Sequence, residues 1–176
     1  LPDGSYNFAV RGTEANGTVS ALSQPLNVVI DTAAPAIPLI GAFVDSDGDP
    51  VVDGGATDKT SVVISGTAEP GAEVDVTFTN KSATGQDFFL RKDVAADGTW
   101  SIDNSSFAPL PVQTDYDVTV TAKDGARNES APSQPISFSV DTVPPVIRFE
   151  LASVDDTGAK GDGATAVQNP GFELEV

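Results

Sequence analysis

The chain repeats itself at an interval of 110 residues. Tyr6 to Pro35 lies over Tyr116 to Pro145 without a gap, and ten of the thirty aligned pairs are identical, among them Tyr6/Tyr116, Ser20/Ser130, Ser23/Ser133, Asp31/Asp141 and Pro35/Pro145. Most differences are mild, such as Leu26/Ile136, Ile30/Val140 and Glu14/Asp124. A period of this length is too long for a solenoid repeat and matches a domain. The expected division is therefore the end of one unit in residues 1–31, a complete unit in 32–141 and the beginning of another in 142–176. The chain has no initiator Met and begins inside what reads as a strand, so it is expected to be a piece of something longer.

Within the complete unit, short runs rich in Val, Thr, Phe and Ile alternate between inward and outward positions and are separated by Gly, Asp, Asn and Pro, which is strand chemistry with turn punctuation. The pattern predicts strand A at 37–44, B at 61–66, C at 73–79, D at 87–92, E at 98–103, F at 115–123 and G at 134–140. No window carries helical periodicity. Seven short strands in about 105 residues define an all-β, antiparallel immunoglobulin-like sandwich, here in tandem array. Trp100 falls on an inward position beside Ile102 and is expected in the core. Tyr116, repeated as Tyr6, is expected to be a tyrosine corner whose hydroxyl meets backbone. Residues 1–30 read as strands F and G of a preceding unit, and 146–176 as strands A and B of a following one.

Composition removes several function classes. Twenty-six acidic against nine basic residues give a formal charge of -17, which leaves nothing to neutralise phosphates and argues against nucleic acid and anionic membrane surfaces. No apolar run approaches the ~20 residues that span a bilayer. The chain contains no His and no Cys, which disfavours zinc, copper, haem and iron–sulfur ligation and leaves hard, oxygen-ligated ions. Without His, a Gly-x-Ser-x-Gly elbow or a phosphate-cradling loop, the chain reads as a non-enzyme. Paired carboxylates on an exposed loop lack the burial that would raise one pKa for acid–base work.

The carboxylates are the remaining chemistry. Asp45, Asp47, Asp49 and Asp53 place acids at close intervals around Gly48, a spacing that lets one loop wrap oxygen ligands around a hard cation, although position twelve counted from Asp45 is Ala56 where an EF-hand would need Glu. Solvated Asp/Gly turns explain the same residues without an ion. Strand directions put the A–B loop at the far end of the unit beside Asp141, and the F–G loop, Asp124 to Asn128, at the near end beside Asp31. Each junction is thus expected to be flanked by acidic loops, with Asp155 and Asp156 forming a sparser loop in the third unit. Such a cluster repels itself, and a divalent ion would relieve it. The junctions Asp31-Thr32-Ala33-Ala34-Pro35 and Asp141-Thr142-Val143-Pro144-Pro145 are short and stiffened by proline.

Together with these junctions, the runs Ser65-Gly66-Thr67-Ala68-Glu69-Pro70-Gly71-Ala72, Asp97-Gly98-Thr99-Trp100-Ser101 and Ala122-Lys123-Asp124-Gly125-Ala126-Arg127-Asn128-Glu129-Ser130 resemble the bacterial immunoglobulin-like domains of giant surface adhesins. The resemblance covers the complete unit and both partial ones, and it departs at Glu14 to Thr18, which replaces the Asp-Gly-Ala-Arg-Asn form. It implies an extender region of a secreted, cell-anchored bacterial adhesin with calcium (Ca2+) at the junctions. The metal-ligand candidates are then Asp31, Asp45, Asp47, Asp49, Asp53, Asp124, Asn128, Asp141, Asp155 and Asp156. The expected partners are neighbouring repeats, with the host or surface ligand bound elsewhere in the full-length protein. The competing readings are a module that binds a glycan or protein, which the scarcity of aromatic platforms disfavours, and a subunit of a surface fibre or layer.

Overall fold

The computed structural model describes residues 1–82, 85–105 and 109–146, together with two strands beyond them. The described strands are β1 Gly4–Phe8, β2 Leu26–Ile30, β3 Leu39–Asp45, β4 Gly55–Thr57, β5 Val62–Thr67, β6 Glu73–Asn80, β7 Phe88–Asp93, β8 Thr99–Asp103, β9 Thr114–Lys123, β10 Ile136–Val140, β11 Arg148–Leu151 and β12 Phe172–Glu175. The chain falls into two compact units, Leu1–Asp141 and Thr142–Val176. In the first, a three-stranded sheet of order β3-β5-β8 accompanies a five-stranded sheet of order β4-β10-β9-β6-β7, which gives the expected all-β, immunoglobulin-like arrangement. The second unit contains the antiparallel pair β11 and β12, with Phe149 opposite Leu174.

The alternation in the sequence works as a face selector. In β6, Val74, Val76 and Phe78 are fully buried, as are Tyr116, Val118, Val120 and Ala122 in β9. Their neighbours one residue away face outward and carry the polar set. Phe43 of β3 meets Phe138 of β10 edge-on at 5.1 Å, joining the two sheets, and Tyr116 stacks on Phe138 at 5.6 Å. Trp100 lies in this core. The Tyr116 hydroxyl donates to the Pro111 carbonyl at 3.5 Å and the Tyr6 hydroxyl to that of Pro2 at 2.7 Å, so both expected tyrosine corners are present.

Two features go beyond the sequence reading. The strand at 88–93 pairs with β6 and not with β8, placing it in the larger sheet. Phe88 stacks on Phe78 at 4.6 Å, and the Arg91 guanidinium takes both carboxylate oxygens of Asp75 opposite it, at 2.6 and 2.9 Å. These cross-strand pairs choose the neighbour. The A–B loop also contains an additional short strand, β4, which runs parallel to β10. Asp53 Oδ1 accepts the Ser137 amide and Thr57 O accepts that of Asp141, closing both ends of this pairing.

Gly66 is fixed by close packing. A Cβ there would stand 1.9 Å from the Leu39 carbonyl oxygen and 2.9 Å from Trp100 Cζ2, so only glycine lets β3 cross at the register shift between Ile40 and Ala42.

β1 and β2 pair with Tyr6 opposite Val28, and β9 and β10 with Tyr116 opposite Phe138. Every pair in the first set becomes a pair in the second on adding 110. The serines that recur at this offset do the same work in both places. Ser23 Oγ accepts the Val10 amide and Ser133 Oγ that of Val120, while Ser20 Oγ accepts the Gly12 amide and Ser130 Oγ that of Ala122.

Candidate functional site

Four five-residue loops share one backbone form: Glu14–Thr18, Asp45–Asp49, Ala95–Thr99 and Asp124–Asn128. In each, the first residue's N–H donates to the fifth residue's carbonyl and the fourth residue's N–H donates to the first residue's carbonyl, at 2.8 to 3.1 Å. The fourth residue is left-handed: Gly17, Gly48 and Gly98 at φ 89, 90 and 83°, and Arg127 at 75°. That geometry turns the amides of positions three and five inward, where a short acceptor side chain ties them down.

The acidic loops supply that acceptor from position one. Asp45 Oδ1 accepts the amides of Asp47 and Asp49, both at 3.0 Å, and Oδ2 accepts the Thr57 hydroxyl at 2.9 Å. Asp124 Oδ1 accepts the amides of Ala126 and Asn128 at 2.8 and 2.9 Å, and Oδ2 accepts Asn128 Nδ2 at 2.8 Å. The other two loops are tied from position three, by Asn16 on the Thr18 amide and Asp97 on the Thr99 amide. Burial works against ionisation of Asp45, which is 7% exposed. The hydrogen bonds from Thr57, Asp49 and Asp47, with the Lys59 charge, outweigh it and hold the carboxyl below the usual range. Asp124 is held low chiefly by Asn128.

The F–G loop reaches the preceding linker. Asn128, oriented by Asp124, donates its second amide hydrogen to the Asp31 carbonyl at 3.0 Å, across 97 residues of sequence. Asp31 Oδ1 accepts the Ala33 amide, and Thr32 Oγ1 reaches both oxygens of Asp3 at 3.0 and 3.2 Å. Asp31, Asp124 and Asn128 are therefore brought together, as strand directions predict. At the other end, Asp45, Thr57 and Asp141 form a second chain of contacts, with Gln113 Nε2 donating to Asp141 Oδ1 at 2.7 Å.

The remaining candidates separate. Asp47 pairs with Lys59 at 3.0 Å, and Lys59 also meets Asp58 at 3.2 Å, supplying countercharge to the acidic segment. Asp49 is exposed and joins the loop through its backbone. Asp53 is engaged with β10. Asp155 and Asp156 lie outside the described residues. Among the described residues no three acidic side chains converge closely enough to hold a metal ion. At Asp45 and Asp124 the carboxylate oxygens face N–H and O–H groups of their own chain segments instead.

Thr57, Lys59, Gln113 and Asp3 are the participants that motif spacing missed. Gln113 and Asp3 correspond at the 110-residue offset, just upstream of the aligned window, and extending that window would have found them.

A family model described as Bacterial Ig domain matches residues 50–140. "Endoglucanase B" of Cellulomonas fimi is 33% identical over 138 residues, covering 78% of this chain and 12% of that protein. The chain thus spans about an eighth of that relative's length. Among solved structures, a family 76 glycoside hydrolase from a bovine Bacteroides thetaiotaomicron strain matches 60% of this chain and 20% of its own, at 12% identity and a TM-score of 0.37. A structure described as "Myokine structure" matches 63% and 99%, at 16% identity and a TM-score of 0.39.

Proposed function

The chain belongs to the bacterial Ig domain family, and we propose that it is a tandem spacer segment of a large secreted bacterial surface protein, with residues 1–31, 32–141 and 142–176 belonging to three successive repeats. Its work in this reading is mechanical: to project a binding part located elsewhere in the protein, as in an adhesin. The observation that carries the proposal is the Asn128 to Asp31 hydrogen bond, which ties a loop of one repeat to the linker leaving the repeat before it. A proline-stiffened linker limits backbone freedom, and a side-chain bond onto its first carbonyl narrows what remains. The match to 12% of an endoglucanase supports a module used as a minor part of large proteins, and the matched family is an Ig-domain family, not a catalytic one.

Calcium enters the proposal only as an additional ligand. When bound it would add positive charge beside Asp31 and Asp124, and in this reading the hydrogen bonds that tie the Asp124–Asn128 loop do not depend on it. The test is solution scattering and thermal melting of the chain in chelator and in millimolar calcium, beside Asn128→Ala. A joint made by the chain itself gives the same maximum dimension in both buffers and a broader one in the variant. Unchanged scattering in the variant contradicts the spacer geometry.

A further inference from the structure

The three-stranded sheet ends at β8, and among the described residues no strand pairs with its other side, because β7 pairs with β6. Hydrogen-bonding phase along β8 follows from its last contact: the Asn104 amide donates to Val62 O at 3.3 Å. Bonded and non-bonded pairs alternate in an antiparallel ladder, so Ile102 and Trp100 bond to β5 while the N–H and C=O groups of Ser101 and Asp103 point to the open side. Backbone groups of that kind are met by water or by another strand.

Beside β5 and β8 lies an open groove of about 680 Å³, lined by Ser65, Thr67, Lys92, Asp93, Trp100 and Ser101 among others. Trp100 is 4% exposed, and its indole Nε1 is buried without a hydrogen-bond partner. A buried unpaired donor costs on the order of 1–3 kcal/mol and marks a position where an acceptor is missing. Lys92, on the groove's lip, is exposed and makes no ion pair among the described residues, in a chain whose net charge is -17. An open edge, a tryptophan with a buried unpaired donor, and a lysine with no ion pair among the described residues adjoin one groove, which Asp93 also lines.

We propose that the free edge of β8 is a docking site for an extended peptide, which adds as a fourth strand to the β3-β5-β8 sheet and presents a carboxylate or amide oxygen to the Trp100 indole N–H. The peptide supplies backbone partners for Ser101 and Asp103, which have none on that side among the described residues, and an acidic side chain answers both the indole donor and Lys92. A sugar is the poorer occupant, because stacking needs an exposed ring face and Trp100 presents almost none.

Trp100 is the only tryptophan, so its indole N–H gives a single resonance in the ¹⁵N-labelled full chain. The probe is the heptapeptide acetyl-Thr-Val-Thr-Glu-Thr-Val-Thr-amide, with a Leu-centred version, a version N-methylated at alternate residues, and cellopentaose as a glycan control. The Glu peptide is expected to move the indole resonance and to bind about fivefold more tightly than the Leu peptide, the worth of one hydrogen bond of about 1 kcal/mol. The N-methylated peptide is expected not to bind. Trp100→Phe, read by calorimetry, is expected to reduce the Glu preference, and Trp100→Phe with Lys92→Gln to remove it, while Leu-peptide affinity stays unchanged. An indole resonance unmoved by millimolar peptide overturns the proposal, as does equal binding of the N-methylated peptide or a shift caused by cellopentaose alone.

Discussion

Replacing Asp45 separates a structural carboxylate from a metal ligand. Asp45→Ala removes three accepted hydrogen bonds: the amides of Asp47 and Asp49 and the Thr57 hydroxyl. Asp47 and Asp49 are exposed, so water replaces Asp45 for their amides at a cost of roughly 0.5–1 kcal/mol each. Thr57 is buried and its hydroxyl loses its acceptor, which costs on the order of 1–3 kcal/mol. The total is about 3 kcal/mol, a fall in melting temperature of about 10 °C or more for a unit of this size. Asp45→Asn keeps Oδ1 for the two amides and lets the Thr57 hydroxyl rotate to accept from the new Nδ2, so it should recover more than half of the loss. The assay is calorimetric melting in chelator. A wild-type melting temperature for Asp45→Ala there, with the loss appearing only when calcium is added, would refute the loop-tie assignment. The folded pKa of Asp45 is lowered, so its stabilisation is complete above about pH 4 and is lost as pH falls through the lowered value. That part of the acid transition should be missing from Asp45→Asn.

Four further outcomes follow from other contacts. Gly66→Ala places a methyl group 1.9 Å from the Leu39 carbonyl and should lower the melting temperature by more than Asp45→Ala or prevent folding, measured by circular dichroism and soluble yield. Tyr116→Phe removes a fully buried hydroxyl whose bond is long at 3.5 Å; a loss of about 1 kcal/mol, seen as a few degrees, is expected. Lys123 is held above its ordinary pKa, first by Asp75, so its stabilisation is present below about pH 10 and is lost as pH rises through the raised value; Asp75→Asn should flatten that alkaline limb of a pH–stability curve. Arg127→Gly relieves a left-handed side-chain-bearing residue, worth about 1 kcal/mol in the native state against a similar gain in unfolded-chain entropy, and should leave the melting temperature within about 3 °C of wild type.

Much of the fold was legible because alternation fixes faces. Val74, Val76 and Phe78 announce the buried side of β6 by spacing alone, and the 110-residue offset carries the β1–β2 register directly onto β9–β10. Alternation does not choose neighbours. β7 joins β6 through Phe88 on Phe78 and Arg91 on Asp75, contacts between residues that no periodicity links. β4 was hidden because Gly-Ala-Thr carries no apolar pattern, and the bonds that define it come from Ser137 and Asp141, about 80 residues away.

The site was legible as a place more than as a chemistry. Strand directions brought Asp31, Asp124 and Asn128 together, as observed. The Asp-x-Asp spacing around Gly48 serves a cation cradle and a tied turn equally well, since both set a carboxylate beside bent backbone. The two differ in where the amides of positions three and five point, which depends on the left-handed fourth residue. Lys59, which lies outside the acidic run, supplies the countercharge that spacing arguments had reserved for an ion.

The central claim is that the joint between repeats is made by the chain's own hydrogen bonds. The chain contains no Cys, so spin labels can be placed cleanly at Ser5→Cys on β1 and Thr79→Cys on β6, both exposed, and their separation read by pulsed electron–electron resonance in chelator. The account predicts one narrow distance population in wild type that broadens in Asn128→Ala. A broad population in chelator that narrows only on adding calcium, or a narrow one that ignores Asn128→Ala, would contradict it.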